Sequence, residues 1–305
     1  MTIKKKLYKQ LDMIAMRVLW GLLLVSLLFS CSKQPEKLLL GGSGWNKIAI
    51  VDKASKQIEW EYPLERGWEC NSVDVDTDGH ILFSYSKGAR LIDREKNTVW
   101  DVKAPEGCEL QTAKALPGGR YLLAWCGTPA VILEVDKKGN TLSRTEYDTQ
   151  IPKAHAQFRQ VNKNKAGNYL MPLLATASVC EIDPNGQLLK SVKVKGGPFS
   201  VAVLSNGHYL VACGDKHSFV ELDFETGKTI REVNADDIEG AKLFFVAQLL
   251  PTKPGGLYIC NWQGHGKDAA NHQHPQLIEL DKKGQMIWSL NDNERFGMIS
   301  AVCAF

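Results

Sequence analysis

The feature that most constrains this chain is a pair of turns that recurs about every 40 to 50 residues from Leu38 to the end. Such a period means that one small unit is copied and stacked, because a single unit of that size cannot bury its apolar face alone. Hydrophobic residues alternate with polar ones throughout, and no stretch sustains a helical period. The first turn contains glycine and precedes an apolar strand. It stands as Asp76-Thr77-Asp78-Gly79 before Ile81, Pro117-Gly118-Gly119 before Tyr121, Ala166-Gly167-Asn168 before Tyr169, Ser205-Asn206-Gly207 before Tyr209, and Pro254-Gly255-Gly256 before Leu257. The second is acidic: Val51-Asp52-Lys53, Ile92-Asp93-Arg94, Val135-Asp136-Lys137, Ile182-Asp183-Pro184, Leu222-Asp223-Phe224 and Leu280-Asp281-Lys282. An Asp there accepts from its own backbone two residues on, while a nearby Gly or Asn supplies the positive φ.

Six acidic turns against five glycine turns define the architecture. A unit of four strands fits residues 69–107, 108–156, 157–197, 198–244 and 245–297. Residues 38–68 supply the last three strands of a further unit, and residues 299–305 supply the missing first strand. The expectation is an all-β, six-bladed β-propeller of four-stranded blades, one single domain over 38–305, closed by N- and C-terminal segments that share one blade.

The segment Asp223-Phe224-Glu225-Thr226-Gly227-Lys228-Thr229-Ile230 resembles the repeat of quinoprotein-type propellers, and Asp281-Lys282-Lys283-Gly284 leading to Trp288 is a shortened version. Trp60 and Trp100 stand at the equivalent point, whereas Ser143, Lys190 and Arg231 replace the tryptophan in the other units. Quinone-dependent dehydrogenases of this class have eight blades and a tryptophan in most repeats. The resemblance therefore implies fold only, and no pyrroloquinoline quinone (PQQ) or other cofactor is expected.

Residues 1–30 read differently. Lys4, Lys5, Lys6, Lys9 and Arg17 precede an apolar run from Val18 to Phe29, too short to span a bilayer and the right length for a secretory signal. Leu28-Phe29-Ser30-Cys31 resembles a bacterial lipobox. That resemblance implies cleavage before Cys31, acylation (palmitate among the chains) of Cys31, a polar tether over 31–37, and a monomer held at the outer membrane and facing the periplasm. The leader holds five of the 37 Lys and Arg and one of the 34 Asp and Glu, so the remainder carries 32 against 33 and the net +3 becomes −1. With no basic block left to follow a phosphate backbone, nucleic acid is not an expected partner.

In a four-stranded meander, loops 2–3 and 4–1 share one face, and that face carries the long segments: 63–69, 145–157, 234–243, 261–276 and 291–298. Long loops on a rigid scaffold are where function concentrates. The starts of the innermost strands ring the channel mouth there. They contribute Glu69, Cys70 and Asn71, then Glu109 and Gln111, then His155, Gln157 and Arg159, and on the other side Phe199, Phe244, Phe245 and Ile299. Trp68, Tyr85, Trp125, Trp262 and His265 belong to the same face. A small polar organic ligand with an apolar face, such as a saccharide, suits a mouth that is polar on one side and aromatic on the other. A protein partner is the other binding expectation. The alternative is a propeller enzyme, of lyase, hydrolase or sulfotransferase type, in which His155 with Glu69 or Glu109 serves as acid and base.

His217, His265, His272 and His274 raise a metal site on the least repeat-like segment, but no carboxylate stands at ligand spacing and no metal is expected. His80 and His208 sit in equivalent glycine turns on the other face. After Cys31, seven cysteines remain, an odd number; Cys126, Cys213 and Cys260 read as small buried hydrophobes. Cys70 and Cys108 are the one pair placed for a disulfide.

Overall fold

A computed structural model describes residues 36–253, 255–265 and 273–305. The leader, Cys31 and His272 lie outside the described residues. The expected propeller forms, as six four-stranded antiparallel sheets. Blade 1 orders β24 (Met298–Ala304), β1 (Lys37–Ser43), β2 (Lys47–Asp52) and β3 (Ile58–Pro63) from the axis outward. Blade 2 comprises β4 (Val73–Val75) to β7 (Thr98–Lys103), and blade 3 comprises β8 (Glu109–Leu116) to β11 (Thr141–Tyr147). Blades 4, 5 and 6 begin on the axial strands β12 (Asn162–Lys163), β16 (Val201–Val203) and β20 (Phe245–Pro251).

The acidic turns form as their chemistry dictates. Asp136 Oδ1 accepts from the backbone N–H of Lys138 at 2.8 Å and of Asn140 at 2.9 Å, while Gly139 adopts φ 81°. Asp183 and Asp281 repeat the arrangement with Asn185 and Gln187, and with Lys283 and Gln285. Beside each acidic turn the register slips by one residue, at Ile50/Val51, Leu91/Ile92, Glu134/Val135, Glu181/Ile182, Glu221/Leu222 and Glu279/Leu280. Six copies of one bulge give every outer strand the same added twist. The outer-strand tryptophans pack against the neighbouring blade: Trp60 Nε1 donates to the Arg94 carbonyl at 2.9 Å and Trp288 Nε1 to the Lys53 carbonyl at 3.0 Å.

The chain ends close the ring. Strand β24 pairs with β1 from Leu38 opposite Ala304 to Ser43 opposite Met298, and the Lys37 and Phe305 backbones exchange two hydrogen bonds of 3.0 Å. Hydroxyls then stitch axial strands together: Ser72 Oγ donates to Ala113 O, Thr112 Oγ1 to Arg159 O, Ser200 Oγ to Ala247 O and Ser300 Oγ to Cys70 O, at 2.7 to 3.3 Å. Buried amides cross the axis. Gln160 Nε2 donates to Asn71 O at 2.7 Å and to Gln248 Oε1 at 3.0 Å, and Gln248 Nε2 donates to Val302 O at 2.8 Å. These amides tie blades 1, 2, 4 and 6 together across the ring.

Candidate functional site

At the channel mouth lies a cavity of about 510 Å³. One wall is polar, with Glu69, Asn71, His155, Arg159 and Ser300. The opposite wall is aromatic, with Phe199, Phe245 and Trp262, and Asp215 and His265 belong to the lining beside it.

The polar wall is a connected chain. The segment after β11 turns through a short 3-10 helix, Ala154–Ala156, which carries His155 to the cavity. Glu109 opens β8, and its Oε2 lies 2.8 Å from His155 Nδ1. The Gln111 amide also donates to Glu109 Oε2 at 2.9 Å, and Asn71 Nδ2 donates to Gln111 Oε1 at 2.9 Å. On the other side of the imidazole, Arg159 Nη2 stands 3.0 Å from His155 Nε2, and Arg159 Nη1 donates to the carbonyls of His155 and Phe158 at 2.9 Å each. A guanidinium has no acceptor, so Nε2 must accept and Nδ1 carries the proton that goes to Glu109. The hydrogen bond from His155, helped by the nearby positive charge, holds the Glu109 carboxyl below the usual glutamate range. Arg159 is 8% exposed, and burial pulls its pKa down.

The aromatic wall is assembled edge to face. The Phe199 and Phe245 rings are 5.7 Å apart at 84°, and Phe245 and Trp262 are 5.5 Å apart at 74°. His265 stands at 88° to Trp262 with centroids 4.7 Å apart, and its Nδ1 is 2.9 Å from Asp215 Oδ1. Trp262 Nε1 donates to Ser43 Oγ at 2.8 Å, which fixes the ring. Gly264 is required beside it, since a Cβ there would meet Trp262 Cη2 at 2.0 Å. A second groove, lined by Trp45, Arg66 and Trp68 among others, shares Ser43 and Glu69 with the cavity.

Of the residues expected from the sequence, Glu69, Asn71, His155, Arg159, Trp262 and His265 line one cavity, and Glu109 and Gln111 stand directly behind it. Trp68 lines the adjoining groove and stacks on Tyr85 at 4.0 Å. Three expected residues are placed elsewhere. Tyr85 is fully buried and its hydroxyl donates to Asp101. Trp125 packs in the core between blades 2 and 3, with Arg144 over its ring. Gln157, also fully buried, binds the Gly127 backbone on both sides and the Ile151 carbonyl, so it braces a loop. Of the expected apolar rim, Ile299 is buried and Phe244 packs on His274, 5.7 Å between centroids. Ser43, Asp215 and Ser300 were not expected. Asp215 sits in a short turn between two strands, and the serines lie within strands, where a period-2 pattern does not mark the axis.

Among the described residues, His217, His265 and His274, expected as weak metal ligands, do not gather. His217 Nδ1 lies 2.7 Å from the Phe244 carbonyl, and His265 and His274 have the separate partners described above. Among the described residues the grouping with metal-ligand spacing is Asp76, Asp78 and His80 on the opposite face. There Asp76 already accepts from two backbone N–H groups and the Tyr121 hydroxyl, and Lys137 pairs with Asp78. Cys70 and Cys108 are separate free thiols, so the disulfide considered for them does not form.

Fold and cavity together define a six-bladed β-propeller with a polar and aromatic pocket at one end of its axis. The chain belongs to the Mal s 1 allergenic protein-like family, whose model matches residues 43–285. It is similar to a Bacteroides caccae protein of unknown function, with 61% identity, a TM-score of 0.87, and coverage of 89% of this chain and 99% of that one. Streptogramin B lyase shares the fold at 13% identity and TM-score 0.58, over 86% of each chain. A crystal structure of Staphylococcus aureus virginiamycin B lyase with quinupristin does so at 12% and 0.58, over 86% of this chain and 87% of that one. Curated proteins give no significant sequence match.

Proposed function

We propose that this protein is a lipid-anchored binding propeller that takes a small polar organic ligand with an apolar face, a saccharide being the simplest case. The observation that carries the reading is the opposition of Arg159, His155 and Glu69 to Phe199, Phe245 and Trp262 across about 510 Å³. A ring compound stacks on such aromatic faces while hydroxyls meet the carboxylate and guanidinium. The anchor at Cys31, with the chain facing the periplasm from the outer membrane, rests on the Val18 to Cys31 sequence. A glycan and metabolite screen by thermal shift tests the pocket: a ligand at 100 times its Kd stabilises the fold by about 2.7 kcal/mol, and Trp262→Ala removes the shift. Silence across the panel favours a protein-binding scaffold instead.

The second reading, acid–base catalysis, is favoured by the 2.8 Å contact between Glu109 and His155, since a carboxylate so placed makes the imidazole a stronger base. Both imidazole nitrogens are engaged, however, so a substrate would first have to displace Arg159 from Nε2. Product formation from a bound compound, lost in His155→Asn while binding persists, would establish catalysis. Streptogramin B lyase has the same fold, and at 13% identity that likeness extends to the fold alone.

A further inference from the structure

The charges around the cavity do not balance, and the excess points to a ligand class; this inference rests on the binding reading above. Glu69 lines both the cavity and the adjoining groove. Its carboxylate takes a single side-chain donor, the Asn71 amide at 3.4 Å, and among the described residues it forms no ion pair. Asp215, its side chain 60% exposed, faces an imidazole. Glu109 likewise faces His155, whose Nε2 accepts from Arg159 and is therefore unprotonated. The one guanidinium of the lining gives three of its five N–H groups to the wall, Nη1 to two carbonyls and Nη2 to the imidazole. Among the described residues, three carboxylates, Glu69, Glu109 and Asp215, thus stand against the one guanidinium of the lining, and Glu69 forms no ion pair.

The opposite wall suits the same ligand. Ring faces attract a cation placed within about 6 Å of the centroid, by about 0.5–2 kcal/mol, more as water is excluded. Ser43, which fixes Trp262, lines the cavity together with Glu69, so carboxylate and aromatic faces border one space. We propose that the cavity recognises an organic ammonium cation, its charge beside Glu69 and its carbon skeleton against Phe245 and Trp262. The cation is either the protonated amine of an amino sugar or the quaternary nitrogen of a small choline-like compound, and both present the same charge to the same wall.

Calorimetric titration of the protein with matched pairs tests this: glucosamine against glucose, and choline against its carbon isostere 3,3-dimethylbutan-1-ol. At least one cation should bind about tenfold more tightly than its neutral twin, and Glu69→Gln should remove most of that preference. Which pair shows the effect identifies the source of the cation. Trp262→Leu should weaken the same cation, and circular dichroism confirms that each variant is folded. Neutral twins binding as well as the cations, or glucuronate binding in preference to glucosamine, would overturn the proposal and leave the cavity as a binding site for another ligand. No binding in any arm or in the wider screen would overturn both.

Discussion

The ring closes where the terminal strand β24 meets its neighbours, and Gln248 is the side chain that ties the last blade to it. Its Nε2 donates to the Val302 carbonyl at 2.8 Å, and its Oε1 accepts from the Val302 N–H at 2.9 Å and from Gln160 Nε2 at 3.0 Å. Gln248 is 7% exposed, Gln160 1% and Val302 0%, so water does not freely replace these bonds. Gln248→Leu keeps the approximate volume and removes all three. It strands a buried backbone N–H and C=O and loosens a buried amide, at about 1–3 kcal/mol for each unsatisfied group. Better burial of an apolar side chain returns about 1–2 kcal/mol, which leaves a net loss of about 3 kcal/mol. For a domain of this size that lowers the Tm by about 6–12 °C. Urea unfolding followed by tryptophan fluorescence measures it directly, with Leu189→Ala, 52% exposed on an outer strand, as the control expected to change stability by less than about 0.5 kcal/mol. A loss under about 1 kcal/mol in Gln248→Leu would refute the view that the axial amides hold the seam.

Gly264→Ala should abolish ligand binding with little loss of stability, because the new Cβ forces the Trp262 ring out of place; unchanged affinity by titration would show that this ring does not form the wall. In the native protein Cys70, Cys126 and Cys213, whose thiols burial pushes up to about 12, should resist maleimide and react after denaturation, as mass spectrometry of the labelled chain would show. Because the folded Glu109 carboxyl is depressed, its contribution to stability is present above the unfolded glutamate value near 4.5 and is lost as pH falls through the lower folded value. His155→Ala should therefore raise the Glu109 carboxyl toward 4.5 in an NMR titration, and an unmoved midpoint would remove His155 as the cause.

The blades were legible because each turn has its own chemistry. An Asp that caps two backbone N–H groups and a Gly at positive φ leave a signal wherever the unit repeats, and the count of six against five located the seam between residues 38 and 305. The site was legible where a side chain sits at or just before the start of an axial strand, as Glu69, Asn71, Glu109 and Arg159 do, while His155 reaches the mouth from the 3-10 helix that precedes its strand. It was not legible where local geometry redirects the side chain. Gln157 follows a 3-10 turn, so strand alternation does not describe it, and its amide turns inward to Gly127. Tyr85 and Trp125 lie near strand ends, where sequence shows the face of the ring but not whether a side chain reaches the mouth or the core. The amides Gln160 and Gln248 escaped for a related reason: Gln248 lies in a bulge between Val246 and Leu249, which turns its side chain to the axis. Asp215 escaped because its turn is short, and only the fold brings it to His265, 50 residues along the chain.

The most direct test of the central claim is a crystal structure of the protein soaked with the tightest-binding compound from the screen. The account predicts ligand density between Arg159 and Trp262, with a polar or charged group toward Glu69 and carbon atoms against Phe245. Density for the compound at the opposite face or on the outer strands, with the cavity holding only water, would contradict it.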